Sequence, residues 1–182
     1  MVILPYEELP AEFRPADPRC EMVAKKVAGW IQARIGGVSV EHIGSTAVPG
    51  LPGKGIIDLM LLYSEGSLDR VRAAIDSLGF QRQYTRDPFP DTRPMRIGSV
   101  LIDRTKFRLH VHVLAEDADE VQILRRFRDQ LIANPALRAR YAALKDQIVE
   151  SGITDTVAYC EQKEQFFNSW KNGKQSTEEN LA

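Results

Sequence analysis

Asp58 is the one polar side chain in the run Ile56-Ile57-Asp58-Leu59-Met60-Leu61-Leu62. Such a run reads as a strand covered on both faces, and a carboxylate inside it is costly unless a metal ion or a cationic side chain pairs with it. The plainer reading is an acid at a sheet edge, satisfied by an arginine or by backbone amides. Shortly before it, the stretch Gly44 to Gly55 holds four glycines and two prolines. Loops of that composition let backbone amides approach an anion. Lys54, at the loop's end, either points at a phosphate or is simply solvated.

The three histidines, His42, His110 and His112, all fall on strand patterns. Residues two apart on a strand share a face. Phe107, Leu109, Val111 and Val113 therefore form an apolar face, while Arg108, His110 and His112 form the other. The imidazoles are either structural hydrogen-bonding groups beneath a helical layer or, if they converge on Asp58, ligands for a divalent cation such as zinc or manganese. Met60 shares the face of Asp58, so the second acid that a paired-carboxylate magnesium site would want is absent. The run Arg82, Arg86, Arg93, Arg96, Arg104, Lys106 and Arg108, interspersed with Asp87, Asp91 and Asp103, is either a solvated face or an anion-binding lid. Arg108 is its strongest candidate, because parity sets it beside the histidines.

These groups need a scaffold, and the chain supplies one in order. Asp17-Pro18 opens a helix whose Met22, Val23, Val27, Trp30 and Ile31 share a face until Gly36-Gly37 ends it. Strands follow at 38–43 and 56–62, then a helix from about Ser67 to Leu78 stopped by Gly79. Residues 80–116 read as a meander with strands near 80–84, 96–103 and 107–114, the turn 103–106 joining the last two. Three helices close the chain at about 118–133, 135–151 and 155–171, the last entered through Thr154 and ended near Gly173. Periodicity puts Phe127 and Tyr141 in the core, while Arg128 and Lys145 either reach the polar face of the sheet or make surface pairs worth little. The expected architecture is α+β, a mixed sheet with an N-terminal helix and a C-terminal helical layer, in one domain over 1–173 with a disordered tail at 174–182.

At 182 residues and 20.5 kDa the chain can bury a core without disulfides or a structural metal. A formal charge of −1 gives no global attraction to nucleic acid or acidic membranes, so neither is an expected partner. Cys20 and Cys160 match no metal or redox spacing. No stretch is long and apolar enough to span a bilayer, and the start has no leader pattern, so the expected compartment is the cytoplasm.

The blocks His42-Ile-Gly-Ser-Thr-Ala-Val-Pro-Gly-Leu51, Lys54 with Ile57-Asp58, Leu109-His110-Val-His112-Val113, Phe127-Arg-Asp129, Tyr141 with Lys145, and Tyr159 with Lys163 and Phe166 resemble the GrpB-like family of the nucleotidyltransferase fold superfamily. The resemblance spans nearly the whole chain. It implies that Gly44 and Ser45 bind phosphate and that Asp58 binds metal, with the second acid of an Asp-x-Asp pair falling at Met60. Gly55 stands where a proline often follows the lysine.

The resulting expectation is a metal-dependent nucleotidyltransferase acting on a small acceptor. Gly44, Ser45, Thr46, Lys54 and Arg108 would hold a nucleoside triphosphate or other phosphorylated small molecule. Asp58, His110 and His112 would do the chemistry, and the same three with His42 would hold magnesium, manganese or zinc. The alternatives are a catalytically degenerate accessory domain that binds a nucleotide or phosphorylated metabolite, and a metal-dependent hydrolase built on the histidines.

Overall fold

Among the residues that the computed structural model describes, 1–9, 13–84, 88–153 and 156–178, five strands and five α-helices are formed. The strands are β1 (Val38–Ile43), β2 (Ile56–Tyr63), β3 (Gln81–Arg82), β4 (Met95–Ile102) and β5 (Thr105–Ala115), in one sheet of order β1-β2-β5-β4-β3. Only β2 and β5 run parallel; the other pairs are antiparallel. The helices are α1 (Arg19–Gln32), α2 (Leu68–Ser77), α3 (Asp119–Ala133), α4 (Pro135–Glu150) and α5 (Thr156–Glu178).

Strand parity divides the sheet as the sequence expects. Ile57, Leu59, Leu61, Leu109, Val111 and Val113 face α1 and α2, whose Val23, Val27, Ile31, Val71 and Ile75 complete the main core. Each such aliphatic side chain contributes about 1.5–3 kcal/mol by leaving water. Met22, assigned to this face by periodicity, is instead exposed. The opposite face carries Met60, Leu62 and Leu114, which pack with Val121 and Leu124 of α3. Farther along that side, Val48 and Leu51 of the glycine-rich loop pack with Leu131 and Tyr141. Asp58, His110 and His112 share the face of Met60 but lie nearer the loop end of the sheet, where the apolar cover gives way.

Several boundaries differ from those read from sequence. β3 is only two residues long, and the β4–β5 hairpin turns on Asp103 and Arg104 alone. Their φ angles of 47° and 63° give the twist that a two-residue hairpin needs. Asn134 caps α4, its Oδ1 accepting from Leu137 N at 3.0 Å. Helix α5 continues past Gly173 to Glu178. Arg86, Asp87, Thr154 and residues 179–182 lie outside the described residues. No described helix is long and apolar enough to cross a membrane.

Candidate functional site

The parallel pairing of β2 with β5 sets Asp58 opposite His110 and Met60 opposite His112. His110 Nδ1 lies 3.3 Å from Asp58 Oδ1, and His112 Nε2 lies 3.8 Å from the same oxygen. Burial pushes the Asp58 carboxyl up, but the hydrogen bonds and charge of the two imidazoles outweigh it and hold the group well below the usual carboxylate range. The unpaired acid of the sequence is thus a carboxylate with two nitrogen partners.

The outer nitrogens fix the protons. Arg93 Nη1 lies 3.3 Å from His112 Nδ1, and a guanidinium only donates, so the proton of the neutral His112 ring is on Nε2, facing Asp58. Burial pushes this imidazole down, favouring that neutral form. Arg93 is itself held by Glu120 of α3, and its guanidinium lies 4.1 Å from the Phe89 ring centre. On His110 the Nδ1–H donates to the carboxylate, leaving Nε2 to accept from Tyr6 Oη at 3.1 Å.

The other carboxylate oxygen borders the glycine-rich loop. Gly44 has φ +72°, and a Cβ there would fall 3.0 Å from both Cβ and Cγ of Asp58 and closer still to Oδ2. Only glycine lets the turn and the acid approach this closely. Ser45 follows in a short 3-10 turn (Ser45–Ala47), and its Oγ accepts from Lys145 Nζ at 3.3 Å. Lys145, on α4, is 1% exposed and also donates to the Pro52 carbonyl. Burial, and secondarily the charge of Lys163, pushes its ammonium from 10.5 down to about 7. Lys54 Nζ and Lys163 Nζ lie 4.6 and 5.3 Å from the centre of the Tyr159 ring. Burial pushes Lys54 down as well. Three ammonium groups therefore gather around one loop, and among the described residues none of them has a carboxylate within ion-pair distance.

Two expected ligands are employed elsewhere. The pleat turns His42 to the face of Leu59, away from Asp58. Thr46 Oγ1 donates to the Ile56 carbonyl at 3.1 Å, so it accepts from His42 Nε2 at 2.9 Å. This pair braces the loop rather than offering itself to a metal or phosphate; burial pushes the His42 imidazole down to about 4. Arg108 does lie beside the histidines, where its Nη2 donates to the Lys54 carbonyl at 2.8 Å, tying the loop's end to β5. Of the remaining basic run, Arg96 is buried against Asp76 and Lys106 pairs with Glu7. Those residues hold the structure together and do not form a lid.

The donors fit a metal poorly. Magnesium wants oxygen ligands, and a two-ion centre wants several carboxylates. Met60, at the place for a second acid, is fully buried among Ile43, Leu62, Leu114 and Val121. Both imidazoles present N–H groups rather than lone pairs to Asp58. Among the described residues, no group of three or more His, Cys, Asp and Glu side chains is arranged to hold a metal ion.

Residues beyond these candidates complete the site. Arg128 reaches the sheet, donating to the His42 carbonyl at 3.1 Å and flanking Glu41 together with Arg125. Lys145 and Lys163 each stand four residues beyond a tyrosine in the blocks that carry the family resemblance, and Lys145 is one of the two helical cations weighed for the polar face of the sheet. Tyr6 carried none, since it lies 104 residues from its histidine partner.

A family profile described as GrpB protein matches residues 10–172. A UPF0157 protein of Pseudomonas aeruginosa is 34% identical over 158 residues, covering 85% of this chain and 63% of its own length. The chain thus spans less than two thirds of that relative. Among solved structures, the conserved protein GrpB from Enterococcus faecalis superposes with a TM-score of 0.64 at 21% identity, over 87% of this chain and 99% of that one. The MgGTP-bound Cid1 poly(U) polymerase superposes with a TM-score of 0.55 at 13% identity, over 75% of this chain and 44% of that one. At these identities the superpositions speak for the fold, which is nucleotidyltransferase-like.

Proposed function

The chain belongs to the GrpB family, and from that premise we propose that it binds the phosphates of a nucleoside triphosphate, or of a similar phosphorylated small molecule, on the Gly44–Ser45 turn. Lys145 carries this reading. A buried ammonium without a carboxylate partner is costly, and an anion seated beside Ser45 would relieve that cost. Lys54 and Lys163, both near the Tyr159 ring, would add charge along the same side. Support also comes from the fold, shared with a polymerase solved with MgGTP bound. The metal dependence expected of the transferase reading is not carried into this proposal, because the donors around Asp58 suit a metal poorly. Charge neutralisation falls to the lysines instead.

Thermal unfolding tests the proposal, using the four ribonucleoside triphosphates and inorganic triphosphate, each with magnesium or with chelator. A ligand at about a hundred times its dissociation constant stabilises by about 2.7 kcal/mol, roughly 5–10 °C for a domain of this size. The expected result is a shift that survives chelation and is lost in Lys145→Met, each protein compared with its own unliganded state. Absence of any shift, or the same shift in the variant, would overturn the reading.

A further inference from the structure

We propose that Tyr6 is the nucleophile of a Tyr6–His110–Asp58 relay that takes a nucleotidyl group onto its own phenolic oxygen. The inference rests on the nucleotide reading of the neighbouring loop and adds to it an acceptor within the chain. The connectivity is that of an activated hydroxyl: Tyr6 Oη to His110 Nε2 at 3.1 Å, then His110 Nδ1 to Asp58 Oδ1 at 3.3 Å. A hydroxyl, an imidazole that accepts from it, and a carboxylate that fixes the imidazole's tautomer form the arrangement that makes a weak nucleophile reactive.

Position adds to connectivity. The carboxylate that orients His110 also lies against Gly44, so one residue links the phosphate-binding turn to the phenol. The segment carrying Tyr6 is fastened at several points. Leu4 and Ser99 exchange backbone hydrogen bonds at 2.8 and 2.9 Å, and Tyr6 N donates to Gln81 Oε1 at 2.9 Å. The Tyr6 and His110 ring centres lie 5.4 Å apart. Such anchoring is what a nucleophile needs to present one oxygen in one direction. Burial pushes the Tyr6 phenol up to about 12, so at neutral pH it needs a base within reach.

The step balances as follows. Tyr6 Oη forms a bond to the α-phosphorus of the triphosphate while its proton passes to His110 Nε2. The bond from that phosphorus to the oxygen bridging to the β-phosphate breaks, and pyrophosphate leaves with its charge matched by Lys145 and Lys54. The products are a nucleotidyl-tyrosine ester, pyrophosphate and one proton, which His110 later releases to solvent.

The test incubates the full chain with ATP, GTP, CTP or UTP radiolabelled at either the α- or the γ-phosphate, with magnesium as the nucleotide's counter-ion. Label is read on denatured protein, and its site by peptide mass spectrometry. The expected result is α-label on Tyr6, none from the γ-phosphate, complete loss in Tyr6→Phe, and about a hundredfold slower labelling in His110→Gln. The nucleotide-induced melting shift should persist in Tyr6→Phe, showing that the variant is folded and still binds. Label that survives in Tyr6→Phe, label from the γ-phosphate alone, or a melting shift with no label would overturn the relay and leave nucleotide binding standing. Neither shift nor label would overturn both.

Discussion

Replacing Lys145 with methionine should stabilise the unliganded protein in acid and neutral solution and destabilise it in base. The side chain is 1% exposed, and burial takes its ammonium from 10.5 to about 7. Below pH 7 both folded and unfolded states hold the proton, and the folded state bears the full cost of the buried charge, on the order of 4–5 kcal/mol. Between pH 7 and 10.5 the unfolded chain keeps the proton while the folded one sheds it. Stability therefore rises with pH, by up to about 1.4 kcal/mol per pH unit. Methionine keeps the apolar stem but leaves the Pro52 carbonyl and Ser45 Oγ without their donor, a loss of about 1–3 kcal/mol. The variant should thus be more stable by about 2 kcal/mol at pH 6, matched with wild type near pH 9, and less stable beyond it. Urea unfolding of both proteins from pH 6 to 10, followed by tryptophan fluorescence, measures the difference directly. A difference independent of pH, or a wild type more stable at pH 6, would refute the claim that this lysine is a strained cation awaiting an anion.

Gly44→Ala should cost roughly 2–4 kcal/mol and abolish the nucleotide-induced melting shift, since it puts a methyl group against Asp58 at φ +72°. Met60→Asp, which the sequence alone would suggest as a way to restore a second metal ligand, should instead destabilise by at least about 3 kcal/mol by burying an acid among Ile43, Leu62, Leu114 and Val121. Calorimetric titration should show no gain in magnesium or manganese affinity, and a folded variant that binds either ion tightly would contradict this packing argument. Phe127→Ala should cost about 3 kcal/mol in urea unfolding and make α5 more sensitive to protease, because that ring meets Tyr141, Phe167 and Trp170 at 5.3, 5.0 and 4.8 Å.

Alternation and helical periodicity located every strand and helix to within a few residues, apart from the shortened β3 and the longer α5. The loop's composition and the His-x-His alternation made Asp58, His110, His112, Gly44, Ser45 and Arg108 legible as a group, and they do converge. His42 and Thr46 read equally well on type and spacing. What spacing did not convey is the parity at the end of β1, which turns His42 to the face opposite Asp58, where its Nε2 bonds to Thr46.

Local pattern was enough for the elements, because a face must be apolar wherever it is buried, and for the acid in a core strand, because its cost shows against apolar neighbours. What each polar atom does depended on partners distant in sequence. The parallel pairing of β2 with β5 gave Asp58 its two imidazoles, Arg93 and Tyr6 set their protons, and α4 brought Lys145 to Ser45 across a separation of 100 residues. Hydrogen-bond direction and desolvation belong to atoms in contact, and only the folded chain decides which atoms meet.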